Sequence, residues 1–201
     1  MLCVLQKTTF YDIIIKKDIK RATKMGINVA EIKDQVEYLL FSSSKEKCIF
    51  ISYKKEDKEI ACKIGDFLKN EVDVNIYLDL NDSELKESVI LEDNEKIVNS
   101  IKTGLECSTH LLCLVSDKTK LSWWVPYEIG YADKKGLDIA SLKLSYVDDI
   151  PEYLKIKKAI YNKEEFADYL CDFLPYSYVF FQKNREKILN KEWSPIEKFI
   201  D

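Results

Sequence analysis

Histidine is nearly missing from this 201-residue chain, where His110 is the only one. A lone imidazole excludes histidine-rich metal sites and any mechanism that passes protons between two imidazoles. Its place at the head of a strand-like run suits a packing role, at the surface or in the core. Glycine is scarce as well, five residues in all, and nowhere do they form the glycine-rich turn by which dehydrogenases cradle a dinucleotide. No apolar run approaches the length that crosses a bilayer, and MLCVLQKTTF lacks the basic start and long apolar middle of a secretory signal. A cytoplasmic protein with no membrane partner is therefore expected. A surplus of positive charge is also absent. The formal net charge of -4 argues against a cation-coated binder of nucleic acid or anionic lipid. The six cysteines are scattered and never spaced as CxxC, so structural thiols are expected rather than disulfides, and no metal site.

What is present is a globular composition, 46% apolar, arranged in alternating periodicities. Residues 9–41 suggest a helical hairpin. Tyr11, Ile14, Ile15, Ile19 and Ala22 share one face of the first helix, with Gly26 at its end. Asn28 and Glu31 form a cap pair before Val29, Ile32, Val36, Leu39 and Leu40 of the second. The serines at 42–44 mark a boundary. Strand-like runs follow at 48–53, 74–79, 110–116, 139–144 and, more weakly, 157–161. Helical stripes separate them, at Ile60–Leu68, at Ile97, Ile101 and Leu105, from Pro126 to about Gly136, and finally at Phe166, Tyr169, Leu170 and Phe173. Strand–helix alternation with short connections implies an α/β doubly wound parallel sheet with helices on both faces. The expected organisation is an N-terminal helical extension over 1–44, the sheet domain over 45–175, and a C-terminal extension over 176–201 assigned to packing.

Open sheets of this kind bind ligands beyond the carboxyl ends of their strands, where strand order reverses. With order 2-1-3-4-5 the first and third strands flank that crevice. They deliver Ser52 and Tyr53, and Ser116 and Asp117; Asp79 comes from the second strand. The loop SDKTKLSWW then leads to a helix starting at Pro126, a residue whose missing N–H costs nothing in a first turn. That start puts Glu128 in the first turn, where the helix dipole favours a carboxylate. Tryptophans 123 and 124 sit beside it.

Three blocks resemble a TIR domain, the Toll/interleukin-1 receptor-like module, over about Lys47 to Phe173. They are FISYKKEDKEIA, IYLD, and STHLLCLVSDKTKLSWWVPYEIGYA. In the last, Ser122, Trp124 and Glu128 match the family pattern S-x-W-x-x-x-E, and WVPYEI is similar to the bacterial antiphage members, such as those of Thoeris. The resemblance implies a flavodoxin-like five-stranded sheet and an NAD+ glycohydrolase or cyclase. Such an enzyme releases nicotinamide and leaves ADP-ribose or a cyclic isomer, with NAD+ as substrate, no cofactor, and Glu128 as the essential acid. It also implies self-association into a homo-oligomer and a possible effector protein that reads the nucleotide product. One departure is plain: residues 80–92 lack the glycine that many TIR domains carry in a loop used for assembly.

For the other candidates two readings stand side by side. Trp124 walls the pocket or packs in the core. Ser52 meets ribose or phosphate, and Tyr53 is an aromatic lid or a strand-end packing residue. Asp79 binds ribose hydroxyls or makes a turn. Ser116 lies at the same crevice, and Lys54, Lys55 and Lys58 attract a pyrophosphate or are simply solvated. A catalytically silent TIR interaction module and a nucleoside deoxyribosyltransferase-like enzyme are the competing functions.

Overall fold

The computed structural model describes residues 25–44, 46–80, 92–173 and 185–200, with backbone alone for 92–94. The first helix of the expected hairpin, the glycine-free loop from 81 onward, Cys3 and the tail between 174 and 184 lie outside the described residues.

Five strands, β1 (Cys48–Ser52), β2 (Asn75–Tyr77), β3 (His110–Val115), β4 (Asp138–Lys143) and β5 (Lys158–Ile160), form one sheet in the order β2-β1-β3-β4-β5. Every pair is parallel. All five residues of β1 and all six of β3 are buried, because helices cover both faces of the sheet. That is why these strands read as continuous apolar runs and not as alternating ones. The helices are α1 (Gln35–Ser43), α2 (Lys58–Asn70), α3 (Glu92–Cys107), α4 (Trp124–Lys135), α5 (Glu152–Lys155) and α6 (Lys163–Cys171).

The two faces can be told apart by their contacts. Gly65 of α2 lies against Ile51, Ile76 and Leu78, whereas Gly104 of α3 lies against Phe50 and Tyr77. Any Cβ at position 104 would stand 2.3 Å from the Tyr77 ring, so the close seat of α3 on the sheet requires glycine. Phe50 and Tyr77 stack beneath it with centroids 5.6 Å apart. On the α2 face, Trp193 of the C-terminal extension packs against Phe67 and Phe166, giving the described part of that extension its expected packing role. His110 also joins this side, its ring centroid 4.4 Å from that of Phe173.

The N-terminal helix is present, but it starts later than the sequence suggests. Asn28 and Glu31 do pair, Nδ2 to Oε1 at 3.1 Å, yet they close only a 3-10 turn, Val29–Glu31. Asn28 is committed to the edge of the sheet: its Oδ1 accepts from the Leu78 N–H and its Nδ2 donates to the Leu78 carbonyl, both at 3.0 Å. Held there, the chain turns before it coils, and α1 begins at Gln35 with Asp34 Oδ1 accepting from Val36 and Glu37 N–H. Of the expected stripe, Val36, Leu39 and Leu40 face outward while Phe41 is buried; Tyr38 ties α1 to α3 through the Thr103 carbonyl and the Cys107 sulfur.

Candidate active site

The crevice between the carboxyl ends of β1 and β3 is built from two loops and the start of α4. That helix begins at Trp124, two residues before the expected Pro126. The Ser122 hydroxyl accepts from the Val125 N–H at 3.1 Å, so it caps a helix whose first four N–H groups have no internal partner. Pro126 becomes the third helical residue, where it still breaks no hydrogen bond. At the other end Gly136 closes the helix in the left-handed conformation, φ 77°.

The earlier start moves Glu128 into the second turn, and no acidic residue occupies the first. Helix-dipole stabilisation fades beyond the first turn, so the argument that placed a carboxylate there loses most of its force. A direct hydrogen bond stands in its place: Ser52 Oγ, at the end of β1, donates to Glu128 Oε2 at 2.5 Å. Both residues are buried, Ser52 with 1% and Glu128 with 8% of its surface exposed. Ser52 stands in register with Cys113 of β3, and Cys113 with Ser141 of β4. The face that Glu128 covers therefore carries a row of small polar side chains. Ser52 is the cross-strand neighbour of the Cys113 thiol, whose pKa is raised, chiefly by complete burial and further by the charge of Glu128. That thiol stays protonated. Trp124 lies one turn before Glu128 on the same helix face; it is half-buried and meets Tyr127 edge-on with centroids 6.3 Å apart. Trp123, in contrast, is 90% exposed.

The other candidates are drawn into separate interactions. The Tyr53 hydroxyl donates to the Asp79 carbonyl at 3.0 Å, and the Asp79 carboxylate accepts from Ser100 of α3. These two residues tie β1 to the segment after β2. Ser116 points to the opposite face. Its Oγ donates to Asp57 Oδ2 at 2.5 Å, and Lys118 Nζ stands 3.4 Å from Asp57 Oδ1. Lys58 donates to the Leu80 carbonyl at 2.7 Å, and Lys54 pairs with Glu56 at 3.9 Å. The structure thus brings Ser52 and Glu128 together, with Trp124 one turn earlier on the helix of Glu128, and sets Ser116 apart. Asp57 is the residue that sequence reasoning passed over. In KKEDKE it looks like one more solvated charge, and only its spacing three residues before Ile60, which opens the helical stripe, hinted at a helix boundary. Among the described residues no group of three metal-ligating side chains occurs.

Residues 50–149, which include Ser52, Asp57, Trp124 and Glu128, match the family model described as Thoeris protein ThsB, TIR-like domain. The chain belongs to that TIR-like family. A search of curated proteins finds no match. The Thoeris assignment makes this a TIR-domain protein of antiphage defence, and the parallel sheet in 2-1-3-4-5 order is the fold expected of it. Among the described residues no helix is long and apolar enough to cross a membrane.

Proposed function

We propose that this TIR-like protein cleaves the bond between nicotinamide and ribose in NAD+, acting as a glycohydrolase or cyclase. The observation that carries the reading is the buried Glu128 carboxylate at the β1–β3 crevice, held by Ser52 and preceded by Trp124 at helical spacing. Nicotinamide on ribose is already cationic, so it leaves with the electron pair of the C–N bond and needs no proton. What the reaction demands is stabilisation of the positive charge that develops on the sugar. A carboxylate aimed from a water-poor site supplies it. The oxocarbenium-like sugar is then captured by water, which releases its proton to solvent and gives ADP-ribose, or by a nitrogen or hydroxyl of the same molecule, giving a cyclic isomer.

The reading extends to self-association through this domain and to a separate effector that senses the nucleotide product. Incubating purified protein with NAD+ and following nicotinamide by chromatography tests the activity, and mass spectrometry of the remaining nucleotide distinguishes the linear from the cyclic product. Consumption of deoxynucleosides in place of NAD+ would transfer the site to a deoxyribosyltransferase chemistry. Loss of neither compound at any protein concentration would leave a docking module.

A further inference from the structure

The Ser52 hydroxyl was a candidate for the ribose or phosphate of the substrate. Its geometry argues for another task. Ser52 ends β1 with 1% of its surface exposed, and its O–H is spent on Glu128 Oε2 at 2.5 Å. A serine hydroxyl has one proton to donate. While that proton lies on the carboxylate it is not offered to a sugar. On its other side Ser52 meets the buried, protonated thiol of Cys113, its neighbour across the β1–β3 ladder. That neutral thiol brings no charge to compete with the carboxylate for the serine proton, so the O–H stays turned toward Glu128.

We propose that Ser52 is a positioning residue that keeps Glu128 ionised and fixes the direction of its Oε2, rather than a residue that touches the substrate. This inference rests on the proposed NAD+ cleavage for its kinetic consequences, but its physical core does not. A hydrogen bond donated to a carboxylate favours the charged form. A bond to a charged group, made inside a buried site, is worth roughly 10- to 100-fold in an equilibrium or a rate. Around the carboxylate stand Cys113 from β3 and, near enough to Cys113 to interact with it, Tyr153 of α5. Both have pKa values raised by burial, so both stay protonated and neutral at neutral and acid pH.

The experiment compares wild type, Ser52→Ala and the hydroxyl-retaining Ser52→Thr. In Ser52→Ala, kcat for nicotinamide release falls by roughly 10- to 100-fold, KM stays within about twofold, and the acid limb of the pH profile moves to higher pH. Ser52→Thr keeps the wild-type acid limb. A second readout needs no turnover: the carboxyl carbons of 13C-labelled glutamate are titrated by NMR, and the Glu128 signal is identified by its loss in Glu128→Gln. Its midpoint rises in Ser52→Ala. A raised KM with an unmoved pH profile would make Ser52 a substrate ligand and overturn the proposal, as would an unmoved NMR midpoint. If the wild-type protein releases no nicotinamide, the NAD+ reading fails on its own, while the NMR midpoint still decides the role of Ser52.

Discussion

Two buried carboxylates sit at the carboxyl ends of β1 and β3, and the chain connects them reciprocally. The serine ending β1 holds the acid on the helix after β3, and the serine following β3 holds the acid that precedes the helix after β1. Ser52–Glu128 and Ser116–Asp57 are both hydroxyl-to-carboxylate bonds of 2.5 Å, on opposite faces of the sheet. Their settings differ. Asp57, 2% exposed, faces the half-exposed Lys118, and its serine is bound in turn by Thr119 and the Lys118 N–H. It closes a loop. Glu128 stands near a neutral thiol, with Trp124 one turn earlier on its helix. The bond itself does not distinguish a structural acid from a catalytic one; the neighbours do. A carboxylate matched by a cation and a net of hydroxyls has its charge answered within the fold, whereas on the proposed reading Glu128 answers a charge that arrives with a substrate.

The comparison breaks most sharply under mutation. Glu128→Gln keeps the shape of the side chain and removes its charge. Losing a well-aimed electrostatic group costs about 10²- to 10³-fold in rate, so nicotinamide release should drop by at least roughly a hundredfold. The thermal midpoint should hold or rise, because a buried charge has been taken away. Equal activity in the variant would remove Glu128 from the chemistry. Asp57→Ala should do the reverse. The Ser116 hydroxyl is left without its acceptor in a buried site, a cost of about 1–3 kcal/mol, and the Lys118 contact adds little because that amine is half in solvent. Urea unfolding should therefore register a loss of roughly 1–3 kcal/mol, with activity per folded molecule falling by much less than in Glu128→Gln. If Asp57→Ala abolishes turnover at unchanged stability, both acids belong to the site and the distinction by neighbours is wrong.

The sheet was legible because buried parallel strands leave unbroken apolar runs, and CIFIS and HLLCLV are hard to read otherwise. Glu128 stood out as a candidate because Ser122 and Trp124 precede it at fixed offsets. The reason given for its helix position was not sound. Pro126 marked a helix start by the usual rule, but the Ser122 hydroxyl reaches Val125 and begins the helix two residues earlier. Proline is equally at ease at the third position, so its presence could not fix the first. Asn28 misled in a similar way, since its amide bonds Leu78, 50 residues away, and no local pattern announces that. The same holds for the pairing that matters most: Ser52 and Glu128 are 76 residues apart. Sequence placed both at one crevice through topology but had no means of choosing between a hydroxyl facing the ligand and one facing the acid.

The opposite end of the sheet supplies a contrast in titration. His110 is buried under Phe173, which lowers its pKa, with the nearby Asp138 carboxylate, 3.6 Å away, pulling in the other direction. A base whose folded-state pKa lies below its unfolded value, about 6.5, takes up fewer protons folded than unfolded. Stability is then kept above pH 6.5 and lost as pH falls through and below it. Urea midpoints at pH 7.5 and 5.5 should show this loss in wild type, and His110→Asn should reduce it by up to about 1 kcal/mol. An identical loss in the variant would assign the acid sensitivity to groups other than His110.

The smallest effect concerns Ser141, which shares the row of Ser52 and Cys113 on the face covered by Glu128. Its side chain is fully buried and its hydroxyl has no hydrogen-bond partner. Ser52 justifies its burial by the bond to Glu128; Ser141 has no such return. An unsatisfied buried hydroxyl costs about 1–3 kcal/mol, and exchanging it for a methyl hydrogen leaves only a small void. Ser141→Ala should thus raise stability by roughly 0.5–1 kcal/mol, read as a higher urea midpoint at constant slope. Kinetics sharpen the meaning. If KM for NAD+ is unchanged, the row contributes one functional hydroxyl, that of Ser52. If stability rises and KM rises with it, the Ser141 hydroxyl is left unpaired because it is kept for a polar group of the substrate, and the row beneath Glu128 is a recognition surface as well as a support.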